Sequence, residues 1–157
     1  MMRKVSMVAI SLLLVCLNSF SQSHEPAGHA GTNANKLIGS WHLVSMEEPG
    51  PDGRLRHVTN RTGQLIYTRG GHMSVQLMYP PSEATTSNDY VLSGYEASFG
   101  TYDVDEVAHT VTHHVQASVT RGLIGKKLTR AFELSNGNLI IKSVRPDERW
   151  SVTWRRD

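Results

Sequence analysis

The sequence predicts an all-β domain, an eight-stranded antiparallel up-and-down β-barrel with at most one short helix. Two segments in which apolar and polar residues alternate, 64–68 and 72–79, flank an Arg-Gly-Gly turn at 69–71. Glycines in this position are typical of a β-hairpin, because glycine adopts the positive φ that a tight turn needs. About eight such segments follow one another almost without long crossovers, and closure into a barrel removes the unpaired edges of such a meander.

Individual strands are predicted from the alternation between turn residues. The expected strands are 37–47, 64–68, 72–79, 98–104, 109–119, 127–134, 138–144 and 150–155, with 54–60 as a loop or a short edge strand. Asn-Gly at 136–137 is a strong signal for the hairpin between two of them. Ser87 is expected to cap the one short helix, within 88–99, although Gly94 weakens its pattern.

The chain divides into three predicted parts: a signal peptide at 1–21, a flexible leader at 22–36 and the barrel domain at 37–157. A short basic segment precedes an apolar stretch, and small residues place the cleavage before Gln22. The apolar stretch is shorter than the ~20 residues that span a bilayer comfortably. We therefore expect a secreted or periplasmic protein with no stable membrane insertion after cleavage.

Charge and cysteine content exclude several kinds of partner. The formal net charge is +2, and removal of the predicted signal peptide, with Arg3 and Lys4 and no acidic residue, brings it to zero. No nucleic-acid partner is therefore expected. Cys16 is the only cysteine and lies in the signal peptide, so the exported domain has neither a disulfide nor a thiolate metal site. His24 and His29 in the leader are interpreted as solvated side chains, and no metal or cofactor is predicted.

Several sequence blocks together resemble the lipocalin-like domain family of bacteria and fungi. The blocks are Gly-Ser-Trp at 39–41, LIYT at 65–68, GHMSVQL at 71–77, GTYDVD at 100–105, TVTHHV at 110–115 and Trp-Arg-Arg at 154–156. The resemblance extends from about residue 37 to residue 156. It implies a calycin-type antiparallel barrel with an interior site for a small molecule, and it implies no particular reaction. The chain departs from the family pattern at 88–99, where a more regular helix is expected.

Seven residues are candidates for a ligand site in the barrel interior: Trp41, Tyr67, His72, Ser74, Gln76, Tyr102 and His113. His113 and His114 are adjacent on a strand, so they point to opposite faces and cannot bind one metal ion. The apolar residues that alternate with His113 place it inside the barrel. There it is a general base, a hydrogen-bond donor to a ligand, or a core histidine with a protein partner.

Each of the other candidates has two interpretations. His72 follows the glycine turn and is expected near the barrel rim, where with Ser74 and Gln76 it orients a ligand or forms a solvated polar face. Tyr67 and Tyr102 are either polar tips in an apolar cavity lining or core aromatics whose hydroxyls have protein partners.

Barrel closure predicts that the first and last strands are neighbours. Arg155 or Arg156 is then expected across the ring of Trp41 in a cation–π contact. This contact is a structural role and not a catalytic one.

Two functions from different classes remain open from the sequence. The first is an exported barrel that binds a small apolar or amphipathic molecule, because hydrolase, phosphate-binding and metalloprotease motifs are absent. The second is a cyclase, isomerase or hydratase in which His113 or His72 transfers a proton together with Tyr67 or Tyr102. A third, a structural or partner-binding module, predicts an exposed apolar patch. The sequence predicts neither the identity of the ligand nor the oligomeric state.

Overall fold

Nine antiparallel β-strands in one sheet dominate the computed structural model, which describes residues 32–83 and 87–157. The strands are β1 (Gly39–Pro49), β2 (Leu55–Val58), β3 (Thr62–Tyr67), β4 (His72–Met78), β5 (Tyr95–Asp105), β6 (Thr110–Ser118), β7 (Lys127–Ser135), β8 (Asn138–Ser143) and β9 (Ser151–Arg156). The helical segments of the described residues are α1 (Thr32–Leu37) and a 3₁₀ turn, Arg121–Leu123. The predicted signal peptide and most of the predicted leader lie outside the described residues, and the end of that leader, 32–36, is helical.

The sheet closes because β1 has strand partners on both of its edges. On one edge it pairs with β9, where Trp41 lies opposite Arg156 and Met46 opposite Val152. On the other edge it pairs with β3, and consecutive hairpins from β3 to β9 complete an eight-stranded barrel. The extra strand, β2, pairs with the last residues of β1. The predicted antiparallel up-and-down barrel is therefore confirmed, and β2 is the short edge strand expected within 54–60.

Two hairpin turns predicted from glycine-containing sequences are confirmed by their backbone angles. Gly71, between β3 and β4, has a φ of 77°, and Asn136 and Gly137, between β7 and β8, have φ values of 52° and 78°. In the turn at Asn136 and Gly137, positive φ at both central residues is the geometry that matches the right-handed twist of the flanking strands.

The helix predicted within 88–99 is not formed. The side-chain oxygen of Asn88 accepts hydrogen bonds from the backbone N–H groups of Tyr90 (2.8 Å) and Val91 (2.9 Å), an arrangement that also caps helix N-termini. The chain does not continue as a helix, because Ser93 has a φ of 50°, outside the right-handed helical region. Gly94 has a φ of 80°, and β5 begins directly after it. In the described part of the chain, no helix has the length and apolar character needed to cross a membrane.

A β-bulge in β1 changes which of its residues face the barrel interior. The pairing of β1 with β9 skips Val44, so one extra residue is inserted at this point. Before the bulge, Trp41 and Leu43 pack on the core side. After it, Met46 and Glu48 face inward and line the interior cavity. Strict alternation along β1 would have placed these last two residues outside.

The core fills the end of the barrel that α1 covers. Trp41, Tyr67 and Tyr102 are fully buried there together with Leu37 of α1. The indole N–H of Trp41 donates to the backbone carbonyl of Leu37 at 2.9 Å, and the guanidinium of Arg156 lies 4.2 Å from the centroid of the Trp41 ring. The arginine predicted across Trp41 is therefore Arg156. Because this end is packed, the open space lies towards the opposite end of the barrel.

Candidate functional site: a cavity inside the barrel

A cavity of about 430 Å³ occupies the half of the barrel opposite α1. Its deep wall is largely apolar and includes the buried side chains of Leu65, Leu77, Ile141, Val152 and Trp154. The exposed residues Pro49, Arg56 and Asn88 mark its mouth. Cavities of roughly 300–1,000 Å³ with a few polar groups are the usual sites for small organic ligands, so this interior has room for one such molecule.

One side of the mouth is held by an ion-pair cluster around Arg61. The Arg61 guanidinium, only 2% exposed, contacts both carboxylate oxygens of Glu48 at 2.5 and 2.8 Å and one oxygen of Glu83 at 3.0 Å. It also lies 3.8 Å from the centroid of the Tyr79 ring, and Arg56 pairs with Glu48 from the outer side. Burial opposes the charge of Arg61, but the bonds to Glu48 and Glu83 outweigh it and raise its pKa. The cluster therefore links β1 to the segment between β4 and β5 without leaving a free charge.

Arg130 on β7 is a second buried arginine, and it lacks a carboxylate partner. It is 9% exposed and lines the cavity. Its guanidinium lies 4.9 Å from the centroid of Trp150 and 5.4 Å from that of Tyr90, and its hydrogen bond to the carbonyl of Thr129 is long, at 3.5 Å. Within the described chain, no carboxylate lies at ion-pair distance from Arg130.

Glu96 on β5 brings an ionisable carboxyl into the same cavity. It is partly buried, and no hydrogen bond or ion pair joins it to another residue that the structure describes. Burial raises the pKa of Glu96 to about 7, although the positive charges of Arg130 and Arg61 act in the opposite direction. Near neutral pH this carboxyl can therefore give or take a proton. No cluster of three or more metal-ligating side chains occurs in the described part of the chain.

Among the sequence-predicted candidates, His113 is the one that lines the cavity. Its Nε2 lies 2.6 Å from the hydroxyl oxygen of Tyr67. Burial, together with the positive charges of Arg130 and His114, lowers the pKa of His113 to about 3, so the imidazole is neutral at physiological pH. Burial also raises the pKa of Tyr67 well above its ordinary value, so its hydroxyl keeps its proton. We assign Tyr67 as the donor and Nε2 as the acceptor, because the described chain offers the hydroxyl hydrogen no other acceptor. The hydrogen of the neutral ring is therefore on Nδ1.

The indole N–H of Trp154 is buried without a hydrogen-bond partner in the described part of the chain. Trp154 is 3% exposed and lines the deep wall of the cavity. Buried N–H groups almost always have an acceptor in folded proteins. The nitrogen itself has almost no accessible surface, so in this structure it is an unsatisfied core donor and not a contact for a molecule in the cavity.

Three other predicted ligand residues, Trp41, Tyr67 and Tyr102, are core aromatics. Each is 1% exposed and lies in the packed end of the barrel, outside the cavity lining. The rings of Tyr67 and Tyr102 have their centroids 4.6 Å apart, and the Tyr102 hydroxyl donates to the backbone carbonyl of Thr68 at 3.0 Å. Both tyrosine hydroxyls thus have protein partners, as the second of the two sequence interpretations expects.

The predicted polar face of β4 is on the outside of the barrel. His72 and Gln76 are exposed and Ser74 is partly buried, whereas Met73 and Leu77 are buried on the inner face. Because successive side chains on a strand point to opposite sides, the three polar residues do not contact the cavity.

Sequence reasoning missed six charged residues that line the cavity: Glu48, Arg56, Arg61, Glu83, Glu96 and Arg130. A local signal exists for Arg130, because it alternates with Leu128 and Phe132 on the inner face of β7. No comparable signal marks Glu48, whose inward direction depends on the β1 bulge. Arg61 has none either, since it lies outside the strands and its carboxylate partners are distant in sequence.

The outer surface of the barrel carries a group of exposed apolar side chains. They are Met78, Leu92, Tyr95, Phe99 and Val119. Met78 and Tyr95 lie directly opposite each other where β4 pairs with β5. This is the kind of patch that the interpretation as a partner-binding module predicts, and nothing in the described chain covers it.

The closed antiparallel sheet and its internal cavity define the class of this protein: a small β-barrel with one interior space of ligand size. The chain belongs to the lipocalin-like domain family, whose model matches residues 38–156. The family resemblance seen in the sequence blocks is thereby confirmed. No curated protein matches the chain.

Solved structures similar to this barrel share little sequence with it. A lipocalin-like protein from Bacteroides uniformis is 15% identical, with 77% of this chain and 98% of that chain covered and a TM-score of 0.49. An uncharacterized protein from Bacteroides eggerthii is 14% identical, with 77% and 99% covered and a TM-score of 0.46. A mutant of the fluorescent protein UnaG is 15% identical, with 78% and 97% covered and a TM-score of 0.41. At these identities and TM-scores, none of them identifies a ligand for this chain.

Proposed function

We propose that this protein is exported and binds one small amphipathic molecule inside its barrel. The observation that carries the proposal is the cavity of about 430 Å³ within a lipocalin-like domain. Its deep apolar wall suits the apolar body of a ligand, because burying that surface drives binding. Its few polar groups, among them Arg130 and His113, suit the polar end.

Binding is tested with phenylnaphthylamine, a neutral dye that fluoresces in apolar surroundings. Val75 lines the cavity, whereas its neighbour Gln76 is exposed on the outer face of the same strand. We expect the wild-type protein and Gln76→Phe to bind the dye with equal affinity. Val75→Phe fills part of the cavity and is expected to weaken binding at least ~10-fold. Equal binding by all three proteins would place the dye outside the barrel and contradict the proposal.

Export is supported by the signal-peptide pattern of residues 1–21. The test is expression of the full chain in a Gram-negative host, followed by cell fractionation and mass measurement of the intact protein. We expect a processed protein outside the cytoplasm that begins at Gln22. An uncleaved chain retained in the cytoplasm would rule out this part of the proposal.

A second candidate function, proton transfer on a bound substrate, is supported by Glu96. Its pKa of about 7 suits a general acid or base, whereas the lowered pKa of His113 keeps that imidazole neutral. The test is incubation of the protein with a metabolite extract in heavy water, followed by mass spectrometry. Deuterium incorporation by the wild type and not by Glu96→Gln would support catalysis. No incorporation by the wild type would leave binding as the function.

A further inference from the structure

The two buried arginines of the cavity differ in how their charges are balanced. Arg61 is neutralised by Glu48 and Glu83 through contacts of 2.5–3.0 Å. Arg130, equally inaccessible, has no carboxylate at ion-pair distance in the part of the chain that the structure describes. Its partners are neutral, the carbonyl of Thr129 and the rings of Tyr90 and Trp150, and a buried charge without an opposite charge beside it is unfavourable. Arg130 is therefore the cation that an incoming group can neutralise.

Two side chains of the cavity lining also carry N–H groups without protein acceptors. The indole N–H of Trp154 has no partner among the described residues. His113 accepts at Nε2 from Tyr67, so the hydrogen of its neutral ring is on Nδ1, for which the described chain supplies no acceptor. Both side chains line the same cavity as Arg130. The cavity thus offers a cation and the Nδ1–H of His113 as a donor, and the described residues supply no acceptor for that N–H.

The positions of these groups on neighbouring strands bring Arg130 and His113 together. Arg130 on β7 lies opposite Val111 of β6, and His113 is two residues further along β6 on the same face. Such diagonal neighbours are close enough for long side chains to contact one group between them. Glu96 is an unpaired carboxyl in the same cavity. Burial raises its pKa to about 7. In its protonated form Glu96 leaves the charge of Arg130 available to a ligand.

We infer that the ligand is an organic anion with an apolar body, whose carboxylate or similar acid group binds the guanidinium of Arg130. The Nδ1–H of His113 donates to the ligand's oxygen atoms. Guanidinium and carboxylate form strong, charge-assisted pairs of defined geometry. This inference rests on the proposed function, because it names the class of molecule that occupies the same cavity.

The test compares two dyes with the same ring system, anilinonaphthalene sulfonate, which is anionic, and phenylnaphthylamine, which is neutral. We expect the wild-type protein to bind the anionic dye more tightly than the neutral one. Arg130→Met should weaken binding of the anionic dye ~10-fold or more, while binding of the neutral dye changes less than ~2-fold. Arg155→Met is the matched control, because Arg155 is exposed on the outside of β9 and its loss removes the same charge.

A competition experiment with the wild-type protein alone removes any dependence on the folding of a variant. Decanoate and decanol have the same chain length and differ in the acid group. We expect decanoate to displace bound phenylnaphthylamine at concentrations ~10-fold lower than decanol.

The outcomes separate this inference from the proposed function. Equal affinity of the wild type for both dyes, with decanoate no better a competitor than decanol, would overturn the anion preference and leave the cavity as a binding site. An equal loss of both dyes in Arg130→Met, with that variant folded, would also overturn it. Failure of every dye to bind the wild type would overturn the proposed function itself.

Discussion

Gly100 on β5 lies so close to His114 on β6 that a Cβ atom at position 100 would overlap the carbonyl oxygen of His114. The pairing register of the two strands shifts between Phe99 and Gly100, which marks a β-bulge beside the wall of the cavity. Glycine in a strand often marks such a close approach of two backbones. At this position the absence of a side chain is a requirement of the barrel.

Gly100→Ala is expected to lower the free energy of unfolding by about 1–3 kcal/mol, because β5 and β6 must move apart to accept the methyl group. Urea denaturation measures the effect. Gly122→Ala is the control, since no atom lies within 4 Å of an added Cβ there, and it should be neutral or stabilising by ~0.4–1 kcal/mol. Similar values for the two variants would mean that the close approach is absent in solution.

Tyr67→Phe is expected to destabilise the protein by about 1–3 kcal/mol, because it leaves Nε2 of the buried His113 without a donor. The control is Tyr95→Phe, where the tyrosine is 54% exposed and the change should stay within ~0.5 kcal/mol. Urea denaturation of both variants checks the difference. If Tyr67→Phe were as stable as the wild type, the hydrogen bond would not contribute to stability.

Glu48→Gln is expected to lower the free energy of unfolding at neutral pH by about 1.5–3 kcal/mol, because it removes a charged partner of the buried Arg61. Burial raises the pKa of Glu48, but the bonds to Arg61 outweigh it and set the pKa below its usual value of 4.5. The wild type therefore loses this stabilisation as the pH falls from about 4.5 through the folded-state pKa. The variant should show a weaker loss over that range.

The control for this acid titration is Glu133→Gln, which removes an exposed carboxylate on the outer face of β7. Its denaturation curves should follow those of the wild type at every pH. A parallel loss of stability in Glu48→Gln and the wild type below pH ~4.5 would show that Glu48 does not supply the acid sensitivity.

Glu96 is expected to make the barrel less stable as the pH rises from about 4.5 to about 7. Its folded-state pKa is raised from 4.5 to about 7, so in this range the folded state holds a proton that the unfolded state releases. The free energy of unfolding then falls with increasing pH, by up to ~3 kcal/mol. Denaturation of the wild type and of Glu96→Gln at about pH 5 and about pH 8 measures this contribution.

The comparison with Glu96→Gln is needed because His113 has the opposite effect on how the free energy of unfolding changes with pH. Its folded-state pKa is lowered from 6.5 to about 3, so stability is lost as the pH falls below about 6.5. Both proteins contain His113, and its contribution cancels in their difference. A difference that stays constant between about pH 5 and about pH 8 would contradict the raised pKa of Glu96.

The barrel is largely predictable from the sequence because its determinants are local. Alternation of apolar residues and the turns at 69–71 and 136–137 specify hairpins. A series of hairpins has an unpaired strand edge at each end, and closure into a barrel pairs these two edges with each other. The same alternation places His113 inside, with Val111 and Val115 on its face. The segment 88–99 is the exception, since the positive φ of Ser93 and Gly94 is incompatible with the helix that its apolar residues indicate.

The cavity lining is less predictable because it depends on features that alternation does not contain. A bulge at Val44 reverses the inner face of β1 and brings Glu48 inside. Both faces of β4 carry residues that could line a cavity. The inward face is the apolar one, with Met73 and Leu77 buried. Arg61 becomes an interior residue through partners that are far away in the chain.

The pairing of β1 with β9 has a consequence for how the chain folds during its synthesis. Until β9 has been made, the growing meander is an open sheet. One edge of β1 and one edge of β8 then offer unpaired backbone groups to other molecules. Joining the first strand to the last also requires a long-range encounter, which slows folding. A chain that lost β9 through truncation would thus keep most of its hairpins and still be prone to aggregate, because β9 is the strand that pairs with the open edges of β1 and β8.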